Sequence, residues 1–238
     1  MKPRYRKAPM TRQIAPLLAL LLAACGGGGA EEESPSTAPK CTPLAVVRIQ
    51  LFGDSTMAGY DGAQVNTMAV HTPRVNVQAY FDALYPGKVL VTARAVSGTT
   101  AANLINGTDG LNQPWPRDVA AEIVVLNFGI NDRNHYNDAE VYRSNLRILS
   151  AAPGAQVVFQ TPNVVKSFDI EPYAKVMREV AAEKSLPVAE AYTYTRSFPD
   201  WGDRIPDSAH PSDAFYQLIG ANVTGPALKP LVADLLCQ

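Results

Sequence analysis

Metal-binding and redox chemistry have little to work with in this chain. Its 238 residues hold three cysteines and three histidines, at none of the short ligand spacings that zinc prefers. A membrane-spanning helix is also missing, since it needs roughly 20 apolar residues and the stretch from Ile14 to Ala24 supplies about a dozen. Charge is sparse, at 18% of residues, and acids are absent ahead of Glu31. Lys2, Arg4, Arg6, Lys7 and Arg12 therefore stand alone at the start, and without that segment 16 basic residues face 22 acidic ones, a charge of -6. A body of that sign repels phosphate backbones, so nucleic acid is not an expected partner. What the chain has in quantity is apolar residues, 47%, enough to close one core and hence one domain.

The basic start followed by a short apolar run reads as an export signal rather than a span. The run ends in Leu22-Ala23-Ala24-Cys25, which resembles the lipobox of bacterial lipoproteins. That resemblance implies a signal peptide over residues 1–24 and a lipidated Cys25 that holds the protein to a membrane. Gly26 follows Cys25 where an Asp would signal inner-membrane retention, so the cell envelope, at the outer membrane, is the implied location. Residues 25–40, with Gly26 to Gly29, Glu31 to Glu33 and Ser34-Pro35-Ser36-Thr37-Ala38-Pro39, read as a polar tether with nothing to bury. The domain then spans residues 41–238. Cys41 opens it and Cys237 nearly closes it, and in an exported protein a bridge between them is expected, two free thiols being the alternative.

From Cys41 onward short β-branched runs alternate with segments of helical period, which predicts a parallel sheet between helices. The expected strands are Val46 to Phe52, Val89 to Ala95, Ile123 to Phe128, Gln156 to Gln160 and Pro187 to Ala189. Expected helices are Arg74 to Leu84, Ala101 to Ile105, Asp138 to Ala152, Pro172 to Lys184 and Ser212 to Leu236. Asp138 provides an N-cap, and Pro226 with Pro230 is expected to break or kink the last helix.

In open parallel sheets, ligands collect outside the carboxyl ends of the strands, and three strand ends carry suitable chemistry. The first runs into Gly53-Asp54-Ser55-Thr56-Met57-Ala58-Gly59-Tyr60, where a glycine-led turn presents Ser55 as an exposed nucleophile. The second ends in Ser97-Gly98-Thr99, and Gly98 can bring a backbone N–H close to an oxyanion that a side chain would block. The third ends in Gly129-Ile130-Asn131-Asp132, offering the Asn131 amide as a donor without a titrating charge. Near the C-terminus, Asp207-Ser208-Ala209-His210-Pro211 sets a carboxylate three residues ahead of an imidazole, so that it can accept from Nδ1–H and leave Nε2 facing a serine. His71 has no carboxylate at that spacing; Asp132 does stand three residues ahead of His135, and His135 is a candidate to line the site.

Taken in this order, nucleophile, Gly donor, Asn donor and Asp-x-x-His resemble the SGNH (GDSL) hydrolase family from Gly53 to Pro211. The resemblance implies a flavodoxin-like three-layer α/β/α sandwich with a central parallel sheet of about five strands. It further implies a Ser55, His210, Asp207 triad, an oxyanion hole made by the backbone N–H groups of Ser55 and Gly98 with the Asn131 side chain, and no cofactor or metal. The expected activity is ester hydrolysis on small-molecule or glycan esters, with a slight leaning to short acyl or acetyl groups. Alternatives are a lipase or thioesterase on longer chains, an O-acyltransferase in which a hydroxyl replaces water, and a non-catalytic surface binding lipoprotein. Tyr60, His135 and Trp201 are candidate substrate-lining residues. Trp115 and Trp201, in Pro- and Gly-rich loops, are available to stack on sugars, loop packing being the competing role.

Overall fold

The computed structural model describes residues 41–64 and 67–238. The export signal, the lipidated Cys25 and the tether expected in residues 1–40 lie outside the described residues.

Five strands, β1 (Val47–Gly53), β2 (Val89–Ala93), β3 (Ile123–Asn127), β4 (Gln156–Gln160) and β5 (Val188–Ala189), form one sheet in the order β2-β1-β3-β4-β5. Every pairing is parallel, and parallel neighbours require a crossover, supplied here by helices. β3 is buried at every position and reads as a continuous apolar run as far as Asn127, whereas β1 is buried at all but Arg48 and includes the buried polar Gln50. Alternation still sorts their side chains. Ile123 and Val125 face one layer, made by α2 (Pro73–Leu84) and α10 (Gly225–Leu236). Val124 and Leu126 face the other, made by α3 (Ala101–Asn106), α5 (Ala139–Leu149) and α6 (Glu171–Lys184). The result is the flavodoxin-like three-layer sandwich, and its strand order reverses between β1 and β3, where a crevice opens at the carboxyl edge. The register aligns Gly53 with Asn127, so the two strands that flank this crevice end level with each other.

The observed strand ends differ from the expected ones by two residues at most. The helices depart further. Four short ones were not expected: α1 (Ser55–Ala58), α4 (Ile130–Tyr136), α7 (Ala191–Arg196) and α8 (Trp201–Arg204). None exceeds two turns, too short for an apolar period to register. The third expected helix starts after its Asp138 cap but stops at Leu149 rather than Ala152, closed by the Ser150 N–H on the carbonyls of Leu146 and Ile148. The C-terminal helical stretch is also broken elsewhere than expected. α9 (Asp213–Ile219) passes through a wide π turn, Gly220–Thr224, into α10. Pro226 lies in the first turn of α10, where no N–H is needed. Pro230 is carried inside the helix, which Leu228, Val232 and Leu236 hold against the sheet.

A disulfide joins Cys41 to Cys237, 196 residues apart, and beside it the Leu44 N–H donates to the Leu235 carbonyl. Closing so long a loop restricts the unfolded chain far more than the folded one. Replacing both cysteines by serine (Cys41→Ser with Cys237→Ser) is expected to remove about 2–5 kcal/mol of stability in denaturant unfolding. An unchanged midpoint would show that helix packing alone secures the ends.

Candidate active site

β1 ends at Gly53, and Asp54 turns the chain into α1 as its N-cap, accepting from the Thr56 backbone N–H and hydroxyl. Ser55 is thereby the first helical residue, set at the sheet edge. Opposite it, the loop before α9 brings His210 within reach: Nε2 lies 2.7 Å from Ser55 Oγ, and Nδ1 lies 2.6 Å from Asp207 Oδ2. With the ring hydrogen on Nδ1 donated to Asp207, Nε2 accepts from the serine hydroxyl. The other carboxylate oxygen of Asp207 accepts from the backbone N–H groups of Ala209 and His210 at 2.8 and 2.7 Å. Partial burial would raise the Asp207 carboxyl, but the hydrogen bonds from the His210 ring and these two amides outweigh it and hold the carboxyl below its ordinary value. Asp207 therefore stays ionised beside the imidazole and orients it.

The loop bearing His210 is itself tied down. Asn163, after β4, donates to the Ala209 carbonyl at 2.9 Å, the Lys166 N–H donates to Ser208 at 2.8 Å, and the Gly62 N–H donates to Pro211. Tyr60 closes one side: its N–H donates to the Ser55 carbonyl, its own carbonyl accepts from the Tyr216 hydroxyl, and its ring centroid lies 5.7 Å from that of His210.

Gly98 sits after β2 with φ of 75°, a left-handed conformation that only glycine adopts without strain. A Cβ there would meet no protein atom within 4 Å, so backbone conformation, not crowding by the protein, accounts for the glycine. Asn131 stands in the first turn of α4, and its amide donates to the Thr99 carbonyl at 3.0 Å. That bond uses one of the two N–H hydrogens of the amide and ties Asn131 to the loop carrying Gly98. The Val96 N–H in turn donates to the Gly53 carbonyl, so the loops after β1, β2 and β3 form one connected rim.

Beneath the rim lies a buried polar layer that local patterns do not announce. Asp132, fully buried, accepts from the Ala101 N–H through one oxygen and the Gly129 N–H through the other, each at 3.1 Å. It thus clips the start of α3 to the start of α4, on either side of Asn131. Burial lifts its carboxyl to about 7, against the pull of the two amides, and the nearby Asp54 charge adds to the rise. Asp54 is buried too, and burial raises it as well. Thr56 passes the connection on to Asn127, whose amide donates to the carbonyls of Gln160 and Thr161 at the end of β4.

The remaining expected residues stand apart. His135 occupies the last turn of α4 with its ring near Tyr136, and Trp201 opens α8 beneath the Arg196 guanidinium; neither hydrogen-bonds to or stacks on Ser55 or His210. Trp115 packs edge-on against Phe52 and donates to the Ala151 carbonyl, which gives it a packing role. His71 does have a carboxylate: Asp213 accepts from its backbone N–H at 2.6 Å and lies 2.7 Å from Nδ1. The partner stands 142 positions away, beyond the reach of a local reading.

The raised Asp132 carboxyl has a consequence for stability. Between about 4, where an unfolded carboxyl titrates, and about 7 the folded chain holds a proton that the unfolded chain has lost. This contribution is fully present below pH 4 and disappears as pH rises to 7. Asp132→Asn is expected to flatten the decline in unfolding free energy between pH 5 and pH 7.5. An equal slope in both proteins would place the titration elsewhere.

With this geometry the chain can be set beside known proteins. Among solved structures it is similar to the lipase/acylhydrolase from Enterococcus faecalis, at 23% identity and a TM-score of 0.64, covering 78% of this chain and 97% of that one. It is similar to an acetyl xylan esterase from Geobacillus stearothermophilus at 16% identity and 0.59, covering 78% and 97%. It also resembles a carbohydrate acetylesterase family member from Sinorhizobium meliloti at 16% and 0.60, covering 81% and 100%. At these identities the likeness is one of fold, and no curated protein sequence matches the chain. Residues 51–218 match the GDSL-like lipase/acylhydrolase family, and by that match the chain belongs to this family of ester-hydrolysing enzymes.

Proposed function

We propose that this esterase works through Ser55, His210 and Asp207 on short acyl esters, above all acetyl esters of carbohydrates. The observation that carries the reading is the unbroken line from Asp207 through both nitrogens of His210 to Ser55 Oγ, each link below 2.8 Å. In the proposed reaction Ser55 Oγ attacks the ester carbonyl carbon as His210 Nε2 takes the hydroxyl proton. The tetrahedral intermediate collapses by breaking the bond to the alcohol, which leaves with that proton. Water then attacks the acyl-enzyme, gives a proton to Nε2, and the acid departs as Ser55 recovers its hydrogen. Asp207 stabilises the imidazolium in both halves.

For the oxyanion the reading uses the backbone N–H groups of Ser55 and Gly98, neither of which donates to an acceptor among the described residues, together with the Asn131 amide. Fixed dipoles of this kind stabilise developing charge without reorganising. The acetyl and carbohydrate preference is supported by the structural neighbours named for acetyl xylan and carbohydrate acetyl esters. We further propose that residues 1–24 direct export and that Cys25 carries the lipid, on the strength of the Leu22-Ala23-Ala24-Cys25 motif. Cys25→Ser should then release the protein from the membrane fraction of its host.

Hydrolysis of p-nitrophenyl esters from acetate to palmitate by the full chain tests the activity. Ser55→Ala is expected to abolish turnover, and Asn131→Ala to lower kcat about 10²–10³-fold with little change in KM. Rates should fall as the acyl chain lengthens. A rate maximum at long chains would overturn the short-acyl assignment, and full activity in Asn131→Ala would remove that residue from the oxyanion hole.

A further inference from the structure

On the β4 and β5 side of the rim, the carboxyl ends of these strands lead into a cavity that the reaction described above does not use. It has a volume of about 260 Å³ and is lined by Val165, Phe168, Asp169, Tyr192, Arg196 and Trp201, among others. A second, more open hollow of about 470 Å³ shares Tyr192 and Arg196 with it and extends along Glu171 and Arg178. Together they make a trough whose size suits a ligand of several rings, since small-molecule sites commonly hold about 300–1,000 Å³.

Two links tie this trough to the Ser55 site. The segment that forms its wall, the loop between β4 and α6, is hydrogen-bonded to the His210 loop through Asn163 to Ala209 and Lys166 to Ser208. The Arg133 guanidinium, two residues beyond Asn131 on α4, lies 4.4 Å over the Phe168 ring. The wall of the trough is thereby tied both to the His210 loop and to α4, which carries Asn131.

Its chemistry is specific. The guanidinium of Arg133 lies over the Phe168 ring at 4.4 Å, that of Arg178 over Tyr192 at 5.7 Å and that of Arg196 over Trp201 at 5.4 Å. Stacking leaves the N–H edges of a guanidinium free to donate. Arg178 is neutralised by Glu171 and Glu190, whereas Arg133 and Arg196 form no ion pair among the described residues. The Asp169 carboxylate lines the same cavity. Within the lining, Arg178 and Arg196 are balanced by Asp169 and Glu171, so the charges do not select an anion or a cation. Aromatic walls interleaved with both fork-shaped donors and carboxylate acceptors match an uncharged polyol with apolar ring faces.

We propose that this trough binds the backbone of an uncharged glycan and so holds the sugar whose acetyl ester is presented to Ser55. The proposal rests on the esterase reading and adds to it the place where the alcohol portion lies. Arg196 and Trp201 are then specificity-determining residues.

The test uses the full chain with two substrates, p-nitrophenyl acetate and an acetylated β-1,4-xylo-oligosaccharide, and reads the ratio of their kcat/KM values. In Arg196→Ala and Trp201→Ala the ratio of glycan ester to p-nitrophenyl acetate is expected to fall about tenfold, through a higher KM for the glycan ester. Arg196 is exposed, so its variant keeps the test valid if loss of Trp201 disturbs packing. An unchanged ratio in Arg196→Ala would overturn the proposal. So would displacement of unesterified xylo-oligosaccharide by oligogalacturonate at equal concentration, which would mark the trough as an anion site. Calorimetric titration of the Ser55→Ala chain with unesterified xylo-oligosaccharide separates the two readings. Binding there, lost on adding Arg196→Ala, supports the trough even if the unaltered chain fails to cleave p-nitrophenyl acetate, and no binding overturns it even if cleavage is robust.

Discussion

Asp54 and Asp132, both buried at the carboxyl edge of the sheet, are the acidic members of a polar layer that fixes where every loop of the site leaves its strand. Asp54 caps α1 and, through Thr56, reaches Asn127 on β3; Asn127 holds the end of β4; Asp132 joins the starts of α3 and α4. In a buried layer each of these bonds is hard to exchange, because a buried donor or acceptor left unmade costs on the order of 1–3 kcal/mol. One oxygen of Asp54 nonetheless has no hydrogen-bond partner among the described residues. Burial raises the carboxyls of both Asp54 and Asp132, and carboxyls perturbed in this way cluster at functional sites.

The layer explains how an exposed constellation can be rigid. Asp207 and His210 lie on a loop rather than on a long helix, yet the loop is pinned by Asn163, Lys166 and Gly62. Ser55 occupies a helix of one turn, fixed by its cap and by Tyr60. Asn131 is held by its bond to Thr99 and by its neighbour Asp132, which has both oxygens engaged. Short elements thus carry the candidate site while the long ones, α2, α5, α6 and α10, supply the burial on the two faces of the sheet.

Much of this was legible from residues alone, and the reason differs by feature. The strands stood out because burial on both faces makes β3 and the middle of β4 apolar runs, while in β1 Val47, Ile49, Leu51 and Phe52 outweigh Arg48 and Gln50. The pairing of Asp207 with His210 is local, three positions apart, and so could be read from spacing. The buried layer could not: Thr56 meets Asn127 across 71 positions and His71 meets Asp213 across 142, and nothing in a short window distinguishes Asp132 or Asn127 from a solvated loop residue. The prolines near the C-terminus misled because Pro226 fell at a position where its missing N–H is harmless, while the actual break, at Gly220–Thr224, carries no breaker beyond a glycine. The pair formed by Arg133 with Phe168 likewise needed the fold to bring α4 to the loop between β4 and α6.

The central claim is that Ser55 is the nucleophile made reactive by His210. The most direct measurement is intact and peptide mass spectrometry of the full chain after exposure to a small fluorophosphonate, which leaves a stable adduct on an activated serine by displacing fluoride. One adduct per chain, mapped to Ser55 and formed far more slowly in His210→Ala, is the result this account predicts. Labelling at another residue, or at Ser55 with the same rate in both proteins, would contradict it.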